Sequence, residues 1–201
     1  MRFGYRSFLA LLTCTLTACS TLVTPPTAFS IFDLGEPGAI PQSERISPGH
    51  VEVRGPSWLA SSAMQYRLDY QFPARREAFT ESRWAGHPTE MLQRLVAAVL
   101  ISDSKSSGTC RLRIDLDEFV QAFDSAQSSQ ARILARVALL PPRGEAALAR
   151  EQFSIRVNAP GADAAAGVQA HREAAHELVR ALAEWLHVMR QGPAAARECR
   201  R

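Results

Sequence analysis

The sequence predicts an α/β fold, a single domain with one mixed sheet of about six or seven strands covered by two amphipathic helices. Three observations carry that prediction. Apolar and polar side chains alternate with a period of two in several short segments, as in strands with one buried face. Two longer segments place apolar residues at helical spacing. The 201 residues are 46% hydrophobic and 21% charged, with 12 prolines and 11 glycines. That composition suits one or at most two globular domains and excludes disordered or fibrous classes.

The elements follow in order. Phe29 to Leu34 reads as a short first strand closed by Gly35 and Pro37, and Ile46 to Val53 as a second, with Pro48 and Gly49 at its start. Met64, Tyr66, Leu68 and Tyr70 alternate with Gln65, Arg67, Asp69 and Gln71, a half-buried strand. Ala78 to Trp84 is its hairpin partner across Pro73–Arg76. Pro88 stands at a favoured helix start, and Met91, Leu92, Leu95, Val96, Val99 and Leu100 then fall on one helical face. After a polar loop over 102–109, Leu112, Ile114 and Leu116 alternate with Arg113, Asp115 and Asp117, giving a strand with a charged outer face. Ile133 to Leu140 and Gln152 to Val157 form two more, joined through Pro141-Pro142-Arg143-Gly144. Asp163 to Arg190 is a long alanine-rich helix whose apolar side is Val168, Ala175, Leu178, Val179, Leu182, Trp185, Leu186 and Met189, stopped by Gly192 and Pro193. The sheet needs both helices to cover its apolar surface. The chain shows no fixed-period repeat.

Net charge is only +3, and 22 of the 23 basic residues are arginines scattered along the chain, Lys105 being the one lysine. No basic stripe emerges, so nucleic acid is not an expected partner. The long apolar run lies at the N-terminus: Met1 to Arg6 is short and positively charged, and Phe8 to Ala18 carries no charge, the length of a signal-peptide core. A membrane-spanning helix needs roughly 20 apolar residues, and threonines followed by Pro25-Pro26 interrupt this one. The run ends in Leu16-Thr17-Ala18-Cys19, which resembles the bacterial lipobox. Cleavage between Ala18 and Cys19 is expected, with a diacylglyceryl and an N-acyl lipid on Cys19 as the only attached group and no other cofactor. An ordinary secretory site prefers small residues at both key positions, and Leu16-Thr17-Ala18 fits that pattern poorly. Two or three acyl chains give lasting attachment at about 0.8 kcal/mol per buried methylene. By resemblance to bacterial lipoproteins, Ser20 after the cysteine directs the protein to the outer membrane. The expected organisation is a signal peptide over 1–18, a lipidated tether over 19–28, the α/β domain over 29–191 and a C-terminal tail over 192–201. The tether reaches at most ~30 Å when extended. Removal of residues 1–18 takes away Arg2 and Arg6 and leaves a net charge of +1.

Cys14 is lost and Cys19 modified, which leaves Cys110, opening a strand, and Cys199, in a loose tail. In an oxidising compartment these are a candidate disulfide; two free thiols or an intermolecular bond are the alternatives. Neither has a second zinc ligand at a recognisable spacing.

No catalytic constellation is present. His176-Glu177-Leu178-Val179-Arg180 begins like a zinc-protease helix but has arginine where the second histidine must stand. His171 and His176 lie about 140° apart around a helix and cannot share a metal from one face. All the helical histidines read as surface or boundary residues. Ser102-Asp103-Ser104-Lys105 matches a Ser-x-x-Lys spacing but follows a helix and lacks partner motifs. Trp84 and Trp185 are expected to pack at sheet–helix corners. Trp58, in a proline-flanked turn, is a candidate contact for a partner or for acyl chains, as are Tyr66 and Arg67 on an otherwise solvated strand face.

In this order the elements resemble the ABC-type transport auxiliary lipoproteins, the group that includes the paraquat-inducible lipoprotein. The carrying residues are the lipobox followed by Phe29–Leu34; Pro56-Ser57-Trp58-Leu59 before Met64-Gln65-Tyr66-Arg67; Arg83-Trp84-Ala85 leading into Pro88; Leu112 to Phe119 continuing to Gln121-Ala122-Phe123; and the last helix with Trp185. The resemblance implies a non-enzymatic outer-membrane lipoprotein facing the periplasm. It implies docking to a mammalian-cell-entry (MCE) protein whose conduit joins an inner-membrane ABC permease and ATPase, and traffic of lipid or other hydrophobic molecules. A homo-oligomeric ring matched to a symmetric conduit is attractive by analogy alone. A stand-alone lipid-binding or envelope-stabilising lipoprotein is the alternative.

Overall fold

The longest strand organises the molecule. The computed structural model describes residues 28–36, 46–101 and 108–199. The signal segment, Cys19 and the tether up to residue 27 lie outside them, as does the Ser102–Lys105 loop. β5 (Arg111–Phe123) pairs antiparallel with β6 (Ser129–Leu140), and β6 with β7 (Ala149–Asn158). The other edge of β5 is shared by two parallel partners. β2 (His50–Arg54) takes its first residues and β3 (Ala63–Leu68) its last. β4 (Glu77–Trp84) turns back against β3, and the short β1 (Ser30–Phe32) lies parallel to β4 at the sheet margin. The result is one mixed seven-stranded sheet.

α1 (Pro88–Leu100) and α2 (Ala164–Gln191) cover one face. Leu112, Ile114, Leu116, Phe119 and Ile133 of the sheet are buried with Leu178, Leu182 and Leu186 of α2 and Leu92, Leu95 and Val96 of α1. Burying each such side chain fully contributes about 1.5–3 kcal/mol. α1 starts at Pro88, where the missing N–H costs nothing. α2 starts where the Asp163 carboxylate accepts a hydrogen bond from the Ala166 N–H at 2.7 Å.

A bulge at Asp117 explains how one strand serves both halves of the core. Leu116 opposes Ala135 and Glu118 opposes Leu134, so Asp117 is the extra residue. Inward-facing positions are Leu112, Ile114 and Leu116 before it, and Phe119, Gln121 and Phe123 after it.

β2 begins at His50, not at Ile46, and three further elements differ from expectation. β1 spans Ser30–Phe32 because the Asp33 carboxylate accepts from the Gly35 N–H at 2.8 Å, turning the chain at a glycine with φ +70°. β3 ends at Leu68, where the Phe72 N–H donates to the Leu68 carbonyl at 2.7 Å, so Tyr70 belongs to a turn and is exposed. The tail after Gly192 is not loose: it forms α3 (Pro193–Glu198), with Pro193 at the helix start and Ala195 buried. Cys110 and Cys199 are bonded as a disulfide that ties α3 to the start of β5, and the Thr109 hydroxyl donates to the Glu198 carbonyl at 3.1 Å.

Candidate functional site

The strand directions give the sheet two chemically different ends. β3 runs toward the same end as β5, and β1 runs with β4 away from it. One end therefore carries the β3–β4 turn (69–76), the β5–β6 turn (124–128) and the entry to α2. The opposite end carries Cys110, the 141–148 loop and α3. The thirteen residues of β5 separate the two by about 40 Å.

Large exposed apolar side chains are spread over several elements, with Tyr70 and Phe72 in the 69–76 turn. Of the six large ones among the described residues, Phe29 and Ile31 sit on or beside β1, and Trp58, Tyr70 and Phe72 within 57–76. Val188 of α2 is the sixth. Three of these rings carry an arginine: Arg83 stands 4.3 Å from the Phe29 ring centre, Arg75 4.1 Å from Phe72 and Arg76 5.8 Å from Trp58. Cation–π pairs of this kind are worth roughly 0.5–1 kcal/mol when exposed.

The three sequence-predicted contact residues separate on this geometry. Trp58, on a 3-10 turn (Ser57–Leu59), is 51% exposed. Tyr66 donates its hydroxyl proton to the Glu77 carboxylate at 2.7 Å and packs its ring 4.7 Å from that of Phe79. That hydrogen bond raises the Tyr66 pKa above the usual phenol range, burial adding to it, and holds the Glu77 carboxyl below its ordinary value. Arg67 donates to Asp69 at 2.8 Å and to Glu118 at 3.2 Å. Tyr66 and Arg67 are thus engaged inside the domain, whereas Trp58 keeps about half of its surface exposed.

The helix-free face of the sheet is a lattice of arginines and carboxylates. Arg136 makes a two-pronged contact with Asp117 at 2.6 and 2.7 Å, and this hydrogen bonding lowers the Asp117 pKa against the opposing effect of burial. Arg132 bridges Asp69 and Asp124, and Arg76 joins Arg67 on Glu118. Val120, Ala122, Ala138 and Leu140 lie buried beneath these side chains. Among the described residues, nine of the scattered arginines form ion pairs with carboxylates in the fold.

His171 corrects the sequence expectation. It is 2% exposed, with its ring 4.5 Å from Phe119 and 5.4 Å from Trp84. Its Nδ1 lies 2.8 Å from the Gly167 carbonyl one turn back. Burial pushes its pKa down to about 4, so the ring is neutral at physiological pH. Beside it Gln121, 1% exposed, donates to Ser129 Oγ at 2.9 Å and to the Asp163 carbonyl at 3.1 Å. Both residues pin α2 to β5. His176 and His187 are half-buried, as expected of boundary residues, and Trp84 and Trp185 pack inward against Phe119 and Phe153. An open cleft of about 340 Å³ lies between the chain after β1 and α1, lined by Asp33, Glu36, Glu90, Met91 and Arg94 among others. Among the described residues no helix is long and apolar enough to cross a membrane, and no group of three His, Cys, Asp or Glu side chains converges as a metal site.

Residues 49–183, from just before β2 to within α2, match the family model described as the ABC-type transport auxiliary lipoprotein component. The fold is similar to the crystal structure of a Xanthomonas campestris protein of the DUF330 family, with a TM-score of 0.69 at 19% identity, covering 81% of this chain and 97% of that one. It is also similar to the crystal structure of an uncharacterized protein, with a TM-score of 0.60 at 13% identity over 79% and 98% of the two chains. No curated protein matches the sequence.

Proposed function

Since the chain belongs to the ABC-type transport auxiliary lipoprotein family, we propose that it is a non-enzymatic, lipid-anchored subunit of an ABC transport system of the MCE type. Acyl chains on Cys19 hold it to the periplasmic face of the outer membrane, where it docks the distal end of a conduit that moves lipid or other hydrophobic molecules. The observation that carries this reading is the family match across most of the folded domain, with a lipobox placed ten residues before Phe29. Two further features support it. The buried polar residues His171 and Gln121 are spent on joining helix to sheet, not on converging around a substrate. Tethering also raises the local concentration of a docking surface without any new contact. Affinity capture of the acylated protein from native membranes, with the neighbouring MCE protein as the readout, tests the proposal. Co-purification is expected, and its absence from intact envelope preparations overturns the docking role.

A further inference from the structure

We propose that the free edge of β7 takes an extended segment of a partner protein as an added strand, one that sets carboxylates beside Arg150 and Arg156. The inference rests on the sheet and is independent of the acylation of Cys19.

The backbone defines the edge. β7 closes one margin of the sheet, and no strand lies beyond it among the described residues. It pairs with β6 from Ala149 opposite Leu139 to Asn158 opposite Gln130 without a register shift, and it contains no proline. The Ala159 N–H donates to the Ser129 carbonyl at 2.9 Å. Backbone groups alternate sides along an antiparallel strand, so Val157, Ile155, Phe153 and Glu151 also turn theirs to β6. Those of Asn158, Arg156, Ser154, Gln152 and Arg150 point away from the sheet. The Gln152 N–H fits this pattern: it donates to the Glu151 carboxylate at 3.0 Å, not to β6. Natural sheets blunt such edges with short strands, proline or bulges. The opposite margin obeys the rule, β1 being three residues long. β7 has ten regular residues, which suits strand addition, where main-chain hydrogen bonds supply the affinity.

Charge selects the occupant. Phe153, Ile155 and Val157 are partly buried against the core, Phe153 facing Trp185 of α2. The alternate residues from Arg150 to Asn158 therefore lie on the helix-free face, where all are exposed and none is acidic. Arg150 and Arg156 stand about 20 Å apart along the strand. Neither has an ion pair with a described carboxylate, whereas Arg132 and Arg136 of β6 are held by Asp69, Asp124 and Asp117. The carboxylates that neutralise this face stop at β6. A second copy does not supply the missing charge. Two β7 edges related by a two-fold axis run antiparallel and oppose residues of the same face. Centred on Ser154, they set Arg150 against Asn158 and Arg156 against Gln152; centred on Phe153, Arg150 meets Arg156. No register brings a carboxylate to either arginine. An acidic strand does, and its alternate side chains, apolar, extend the half-covered row of Phe153, Ile155 and Val157.

The probe is a fluorescent peptide of about ten residues alternating valine and threonine, with glutamate at the two threonine positions that face Arg150 and Arg156. Anisotropy follows its titration with the full chain purified in detergent. Binding is expected, weakened roughly tenfold by paired Arg150→Gln and Arg156→Gln changes and equally by glutamine in place of both glutamates. Paired Arg150→Glu and Arg156→Glu changes should restore it for a peptide carrying arginines instead. Hydrogen exchange locates the peptide: the amides of Arg150, Ser154 and Arg156 should slow on binding, while those of Phe153 and Ile155, already bonded to β6, should not change. Ser154→Pro removes only an outward N–H and should abolish binding with little change in Tm; if that variant does not fold, the arginine exchanges decide. Absence of binding, binding indifferent to the arginines, or binding that leaves the outward amides exchanging freely overturns the proposal. So does protection of those amides in the protein alone that grows with its concentration, which assigns the edge to a second copy.

Discussion

Replacing Gly167 by alanine should weaken the protein, although the same change inside an exposed helix gains about 1 kcal/mol. Gly167 lies in the first turn of α2, against β5. A Cβ built on it falls 1.9 Å from Gln121 Oε1, 2.4 Å from its Cδ and 3.0 Å from its Nε2. The whole amide blocks the space, and a shift of a few tenths of an ångström does not clear it. Gln121 must leave, giving up its bonds to Ser129 Oγ and the Asp163 carbonyl. At about 1 kcal/mol each, plus the cost of a displaced polar group at a buried site, the loss outweighs the propensity gain. A net destabilisation of about 2–3 kcal/mol is expected, lowering Tm by roughly 5–10 °C. Urea unfolding of the disulfide-intact, non-acylated Cys19→Ser protein measures it. The double variant with Gln121→Ala supplies the control: the alanine methyl then has room, so the two changes together should cost about 2 kcal/mol less than their sum. A Gly167→Ala protein as stable as the parent, or a pair that adds independently, would refute the reasoning.

His171 is neutral when folded, with a pKa near 4, against about 6.5 unfolded. The unfolded chain therefore binds the extra proton between those values, and stability should fall by up to about 3 kcal/mol as pH drops from 7 to 4. The denaturation midpoint of a His171→Phe protein, measured over that range, should lack this component; parallel pH curves for the two proteins would contradict the assignment. Opening the disulfide with paired Cys110→Ser and Cys199→Ser changes frees a loop of 89 residues and should cost about 4–5 kcal/mol on the chain-entropy model. Hydrogen exchange should then show α3 losing protection while β5 to β7 keep theirs. Trp58→Ser, at a half-exposed position, should move stability by less than about 0.5 kcal/mol; a large drop in Tm would make Trp58 a packing residue instead of a contact.

Local periodicity made both long helices and most strands readable. It failed where the backbone departs from a regular repeat. The bulge at Asp117 shifts the inward phase by one, so alternation read from Leu112 to Leu116 does not by itself place Phe119 and Gln121 in the core. Tyr70 continued the apparent alternation of β3 but fell in a turn fixed by backbone hydrogen bonds, which leave no mark on hydropathy. The short α3 carries too few residues for a periodic signal and is held by a covalent bond from far along the chain. The burial of His171 has a sequence signal: it stands three residues after Val168 and four before Ala175, on the apolar stripe of α2. Trp58, in its proline-flanked turn, is half exposed, with Arg76 beside its ring. The pairing of Tyr66 and Arg67 within the domain depends on Glu77 and Glu118, which only the folded sheet brings to them.

The covalent link between the start of β5 and the end of α3 also sets an order of events. Cys199 follows every strand and both long helices in the chain. If the chain is threaded N-terminus first across the inner membrane, as the proposed anchor requires, Cys110 would arrive before its mate, which would emerge only after all the intervening elements. If the chain is exported as proposed, oxidation that runs ahead of translocation would leave Cys110 without Cys199, and correct closure would mark a molecule delivered entire.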